Sequence, residues 1–461
     1  MQKKKTIIIN LFSILALDNF TLPDGVIERL IKENSPGVRL VLLTAKKMEG
    51  RLLRYADGQN VIISIIDTFS PKGFVQKLFH FFYAFLIFTG STRILATFGA
   101  RADIPPAGGN RHIAPVKALI AATFGRSKFV KTKLTPWLFQ KIFRKRPYKN
   151  VFDKYSPDLV VTPNLAFFPD IELVSEAKRR GVKTLGMVMN WDHLNKYYIP
   201  MHVDRLMVQN EPMRREAVGW HCYEDDQVSV VGFPQFDMYA KKEKYLLPRE
   251  QFLKNFGLSH EEKIILYVSG AAYSLDEPEI IESISQWIGE GKFGKSKLMI
   301  RPYAIARDLE LEQKKYARFE NNHPIVFNWM RRSDNLESKK YFASMLAYSH
   351  VIISIFSTTA IEAAIFDKPT ITIGFDGNHK RPYHQSIRRL EDMSHFRNVL
   401  DTGSVRVVRS FDDLGRTISA YLDNPGTDHD KRINLIDKMC HKIDGRASER
   451  IANYILGMTY G

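Results

Sequence analysis

Short runs of β-branched and aliphatic residues recur along this chain, and most are separated by enough residues for one helix. That spacing is its strongest constraint on fold. Thr6–Asn10 reads as a strand, Gly25–Glu33 as a helix, and Val38–Leu43 and Val61–Ile66 as the next strands. Asp158–Thr162, Val182–Val188, Val203–Val208 and Val228–Val231 continue the series, with helices over Ile171–Arg180 and Met213–Trp220. Strands that alternate with crossover helices lie parallel. After GFPQFD, residues 232–237, the charged stretch MYAKKEKYLLPRE interrupts the pattern. It restarts with strands over Lys263–Ser269, Leu298–Arg301, Val351–Ile355, Thr370–Ile373 and Val405–Val408, a helix over Glu279–Glu290, and a final helix over Asp444–Leu456. The 461 residues suffice for two or three cores. The expected architecture is α/β, with two Rossmann-like, doubly wound halves.

Charge narrows the partners. The formal net charge is +17, an excess that calls for an anionic partner. Arg126 to Lys149 holds nine Lys or Arg and no Asp or Glu, interleaved with Trp137, Leu138, Phe139, Ile142 and Phe143. Upstream, FVQKLFHFFYAFLIF (74–88) is almost wholly apolar, yet shorter than the ~20 residues of a spanning helix. One reading makes these two segments buried helices. The other makes them an interfacial pair on anionic lipid, with Phe82, Phe85 and Trp137 in the headgroup layer and Lys141, Arg144, Lys145 and Arg146 as the cations. No nucleic-acid-binding signature is present, so no nucleic acid partner is expected. Cys222 and Cys440 fit no metal or redox spacing, and the first residues run into a strand rather than a signal peptide. A reduced, cytoplasmic chain is the expectation.

Site chemistry concentrates where strands end. In SIFSTTAIEAAIFDKPTITIG (354–374), Ser357, Thr358 and Thr359 stand at a strand-to-helix junction, with Glu362 one turn further. Hydroxyls, helix amides and the helix dipole together suit a pyrophosphate, and Glu362 suits two ribose hydroxyls. The same residues also match a capping box. Ser269 and Gly270 follow another strand, where small residues allow a close backbone approach. Arg301 ends a third strand and suits phosphate; a surface ion pair is the alternative. Asn190-Trp191-Asp192-His193 places a carboxylate beside an imidazole at a strand end, fit for a general base or for a capped turn; Asp18 is a second candidate base. No G-x-G-x-x-G or P-loop occurs, and the one D-x-D, Asp428 to Asp430, reads as a helix cap. No His cluster has metal spacing, so no metal is expected.

Five segments, in order, resemble the GT-B glycosyltransferases of bacterial surface polysaccharides and the related CDP-glycerol glycerophosphotransferases and UDP-N-acetylglucosamine 2-epimerase-like proteins. They are NWDHLNK (190–196), VVGFPQFD (230–237), ILYVSGAAYSLDEPEI (265–280), FSTTAIEAAIFDKPTI (356–371) and DGRASERIANYI (444–455). The resemblance spans roughly residues 155–461; residues 40–150 carry little of it. It implies a GT-B fold of two domains facing each other across a cleft. An acceptor domain would cover 1–235 and a nucleotide-donor domain 236–443, and a helix over 444–461 would cross back to the first. It also implies that Ser357, Thr358, Thr359 and Glu362 bind donor. Arg301-Pro302-Tyr303-Ala304 departs from the Arg-Pro-His-Pro turn of many relatives, and His395 in SHFRNVL stands as a partial substitute.

The leading expectation is a metal-independent glycosyltransferase peripheral to the cytoplasmic membrane face. It would use a nucleotide-sugar donor as substrate, no cofactor, and a glycan or lipid-linked acceptor. The alternatives are a CDP-polyol phosphotransferase, a UDP-sugar 2-epimerase, or a non-catalytic module on membrane or RNA.

Overall fold

The structure is a computed structural model describing all residues except 1–3, 34–36, 68–69, 100, 102–110, 304–308, 320–321, 323 and 330–335. The chain divides into two units. The first holds residues 1–92, 115–237 and 444–461, and the second holds 93–114 and 238–443. The return of 93–114 to the second unit breaks the linear division that the strand pattern suggests.

The first unit is built on seven parallel strands. These are β1 (Lys5–Asn10), β2 (Val38–Thr44), β3 (Val61–Ile65), β4 (Leu159–Thr162), β5 (Lys183–Met187), β6 (Arg205–Val208) and β7 (Val228–Val230). Their order is β3-β2-β1-β4-β5-β6-β7. Successive β1 residues feed opposite faces. Ile7, Ile9 and Leu11 join a core with Ile451, Ala452 and Ile455 of the last helix, Ala447–Tyr460, whereas Ile8 packs with Tyr148, Phe152 and Leu173. Asp237 fixes that helix: its two carboxylate oxygens accept the N–H groups of Ala447 and Ser448, each at 2.8 Å. The GFPQFD and GRASER segments are thus two halves of one cap.

The second unit carries β8 (Lys263–Val268), β9 (Ser296–Arg301), β10 (Ile325–Phe327), β11 (Val351–Ser354), β12 (Thr370–Ile373) and β13 (Val405–Val408), all parallel. The order is β10-β9-β8-β11-β12-β13. In such sheets the strand order reverses at one point, and ligands bind outside the carboxyl ends there. That point lies between β8 and β11 here, and between β1 and β4 in the first unit.

The aromatic segment is split between interior and surface. Phe79 and Tyr83, on the helix Phe74–Ala84, are buried against Phe139 and Phe143, whose rings stack at 4.4 Å. Phe85 is also buried, ringed by Phe81, Phe88 and Tyr197. This corrects its expected place in a headgroup layer: it is a core residue. Phe82 is half-buried, edge-on to Phe124 at 5.5 Å. Arg146 is corrected too, because its guanidinium grips the buried Glu176 at 2.6 and 2.8 Å. Trp137, Lys141, Arg144 and Lys145 remain exposed.

Candidate functional site

In the second unit, the loops after β8 and β11 meet at the order reversal. A Cβ on Gly270 would come within 2.5 Å of Ile355 Cδ1, so only glycine lets the two loops approach. The N–H of Ser269 goes to Arg301 O at 3.0 Å, that of Gly270 to Glu277 at 2.6 Å, and that of Ala271 to Ser269 Oγ at 3.1 Å. The Ser269 hydroxyl also donates to Glu277, at 3.0 Å. These groups shape the loop from inside.

Beyond β11, the helix Thr359–Ile365 starts from Thr358. The N–H of Thr359 goes to Ser357 Oγ at 3.2 Å, and the N–H groups of Ala360 and Ile361 go to the carbonyls of Ser357 and Thr358 at 3.2 and 2.9 Å. This end therefore presents hydroxyls more than amides. Ser357 and Thr358 are half-buried, and Ser357 Oγ lies 3.1 Å from Thr359 Oγ1. No capping box forms here. Thr358 makes no side-chain cap, and Glu362 instead accepts the Tyr239 hydroxyl at 2.7 Å. Arg301 is no surface ion pair: it is buried, with its guanidinium 4.5 Å from the centre of the Phe342 ring. His395 is buried beside Phe396, whose ring stands edge-on to Phe356 at 5.2 Å. In the turn after β9, Ala304 lies outside the described residues.

Sequence reasoning missed a cluster drawn from the segments that follow β8 and β12. His379 Nε2 lies 2.7 Å from Glu279 and 3.7 Å from Asp276, a set of side chains able to hold a cation. Both Asp276 oxygens, however, accept from Arg381, at 2.5 and 2.6 Å. His379 lies a hundred residues from Glu279 and 103 from Asp276, so no local motif could reveal the set.

In the first unit, Asn10 ends β1 and donates to the buried Asp170 at 3.0 Å; burial holds that carboxyl well above the usual range. Asp18, on the helix Ile14–Phe20, pairs with Arg51 at 2.6 Å. Asp192, after β5, pairs with Lys196 and has His193 Nε2 at 4.0 Å. Burial pulls His193 down to about 4, so its imidazole is neutral at pH 7. Glu216, also unforeseen, accepts from the Asn195 amide at 3.2 Å. Burial first, and the nearby Asp192 charge after it, push Glu216 up to about 8. A neutral carboxyl beside a lysine-paired one is the kind of split that separates acid from base roles.

Two parallel doubly wound sheets of this order define a GT-B class of protein. The chain is similar over its length to UDP-GlcNAc 2-epimerase from Neisseria meningitidis bound to UDP-GlcNAc, at 12% identity and a TM-score of 0.55, covering 99% of this chain and 100% of that one. A glycosyltransferase from Rickettsia africae aligns at 14% identity and TM-score 0.50, covering 99% of each chain. The wall teichoic acid polymerase TagF aligns at 9% identity and TM-score 0.50, covering 99% of this chain and 89% of that one. No curated protein sequence matches. Residues 178–457, more than half of the chain, match the family of CDP-Glycerol:Poly(glycerophosphate) glycerophosphotransferases. The chain belongs to that family, and it is a transferase of a nucleotide-linked group.

Proposed function

We propose that this protein moves a polyol phosphate, glycerol phosphate being the simplest, from a CDP-linked donor to a hydroxyl acceptor held at an anionic membrane surface. The family match over residues 178–457 carries this reading. An acceptor oxygen attacks the donor's distal phosphorus. The new P–O bond replaces the bond to the bridging oxygen, CMP leaves, and the acceptor's proton passes to Asp192. Ser357 and Thr358 give hydroxyls to the phosphates. Glu362, oriented by Tyr239, accepts from the ribose. Arg301 offsets charge on the leaving phosphate. Ser269 and Gly270 form the wall behind the donor.

A second reading is sugar transfer from a nucleotide sugar, since Arg301-Pro302-Tyr303-Ala304 lacks the His of the Arg-Pro-His-Pro turn that the resemblance leads one to expect. Its attack falls on the anomeric carbon and releases a nucleoside diphosphate. Incubation with CDP-glycerol, UDP-sugars and a polyol acceptor, followed by nucleotide chromatography, separates the two. CMP release supports phosphate transfer and diphosphate release supports sugar transfer. Conversion of the free nucleotide sugar without acceptor would sink both in favour of epimerisation.

A further inference from the structure

We infer that the buried cluster Glu277–Lys315–Glu312 is the positioning element of the donor site, an inference resting on the donor role proposed for the second unit. Glu277 opens the helix Glu277–Gly289 and is fully buried. It accepts the Gly270 N–H at 2.6 Å, the Ser269 hydroxyl at 3.0 Å, the Tyr316 hydroxyl at 3.2 Å, the Tyr267 hydroxyl at 3.4 Å, and the Lys315 ammonium. Lys315 also donates to Ala271 O at 2.9 Å, Ser274 O at 3.3 Å and Glu312 at 3.2 Å. Glu312, fully buried as well, accepts the Tyr303 N–H at 2.6 Å. One charged centre therefore fixes the loop after β8 at four residues and the turn after β9 at one.

Stability does not account for such a centre. Three ions taken out of water carry a large desolvation cost, and apolar replacements of equal volume often fold as well or better. What the charges supply is direction. Apart from the bonds of Lys315 to its two glutamates, each hydrogen bond ends on loop or turn backbone, on the Ser269 hydroxyl, or on a tyrosine that holds the centre itself. Because the N–H groups of residues 269–271 are spent inside the protein, this loop lends the donor a fixed surface rather than hydrogen bonds. Its effect is to set where the transferring group sits, and a misplacement of about 1 Å costs on the order of 10²-fold in turnover.

The test uses the full chain with all three charges removed together, Glu277→Gln, Lys315→Met and Glu312→Gln, so that none is left unpaired. The expected result is a melting temperature near wild type, a CDP dissociation constant by calorimetry within about threefold, and kcat lower by about 10²-fold. Wild-type kcat in a folded triple variant overturns the inference while leaving the donor reading intact. If the wild type binds neither CDP nor UDP and turns over no donor, the donor reading falls and this inference with it. Hydrogen exchange on the wild type gives a check free of variants. The amides of Gly270, Ala271 and Tyr303 should be protected before CDP is added and unchanged after; rapid exchange that CDP suppresses would overturn the inference.

Discussion

A carboxylate in the first turn of a helix can close a cap or face a ligand, and Glu362 does not close the cap. Its partner is the Tyr239 hydroxyl, not the amide of its own N-cap. Glu362→Gln should weaken CDP binding by about tenfold, the scale of a hydrogen bond to a charged group, and Tyr239→Phe should weaken it less. Calorimetry that finds Glu362→Gln equal to wild type removes the ribose role. Asp192→Asn should lower turnover by about 10²-fold or more with CDP binding intact, if Asp192 takes the acceptor's proton. Near-normal turnover would pass the role to Asp18. Glu216 gives a pH signature. Its folded pKa is raised to about 8, so the folded chain keeps this proton to higher pH than the unfolded chain does. Its stabilising effect is complete below about 4.5 and is lost as pH rises through about 8. Glu216→Gln should therefore melt near wild type at acid pH and above it at alkaline pH. An offset that does not change with pH would show that Glu216 is not a raised carboxyl.

Strand–helix junctions were the most legible elements. Ser357, Thr358, Ser269 and Arg301 could be placed at strand ends from their neighbours alone, because a fully apolar run followed by small polar residues marks such an end. Gly270 shows why the loops had to be small. Gly270→Ala forces its Cβ into Ile355, and overpacking of this kind costs about 1–3 kcal/mol. A melting temperature lower by several degrees is expected; an unchanged one would mean that the loop relaxes freely. Less was legible where partners come from distant segments. Glu277 lies just before the expected helix Glu279–Glu290, and nothing near it in sequence announced Lys315. β10 was not foreseen, although β7, equally three residues long, was. The capping-box alternative at Thr359 does not form, since the helix's N-cap is Thr358, one residue earlier. The Asp276, Glu279 and His379 cluster bears on metal dependence. Activity should survive EDTA, because Arg381 already holds both oxygens of Asp276. Loss on EDTA and recovery with a divalent cation would overturn metal independence and point to that cluster.

At the scale of the whole molecule, the +17 charge favours an anionic partner, and the membrane face proposed for it lies on the first unit. Among the described residues no helix is long and apolar enough to cross a membrane. Yet Phe74 is 80% exposed, Phe129 65% and Trp137 54%, with Leu78, Leu119 and Phe124 also exposed. Isolated exposed apolar residues are common, but aromatics among unpaired cations are the makings of an interfacial face. Lys133, Trp137 and Lys141 recur at four-residue spacing on one helical stretch, and Lys141 Nζ lies 6.0 Å from the Trp137 ring. Not every cation in the segment is available. Lys128 pairs with Glu224, Lys131 is buried against Trp220 O, and Arg146 holds Glu176. Lys133, Lys141, Arg144 and Lys145 make no ion pair among the described residues. Each cation near an anionic leaflet contributes about 1 kcal/mol, screened by salt within a Debye length, so these four suffice for reversible docking. Sedimentation with anionic but not neutral liposomes is expected, weaker at high salt, with a salt-resistant part lost in Phe74→Ala and Trp137→Ala. Charge reversal at Lys133, Lys141, Arg144 and Lys145 should abolish binding and spare turnover of a soluble acceptor. Reversal at Arg146 should instead destabilise the fold, because it sets a like charge against the buried Glu176 and leaves only Arg180 to pair it. A wild type that ignores anionic liposomes at low salt would sink the membrane reading, and the acceptor would then be sought in solution.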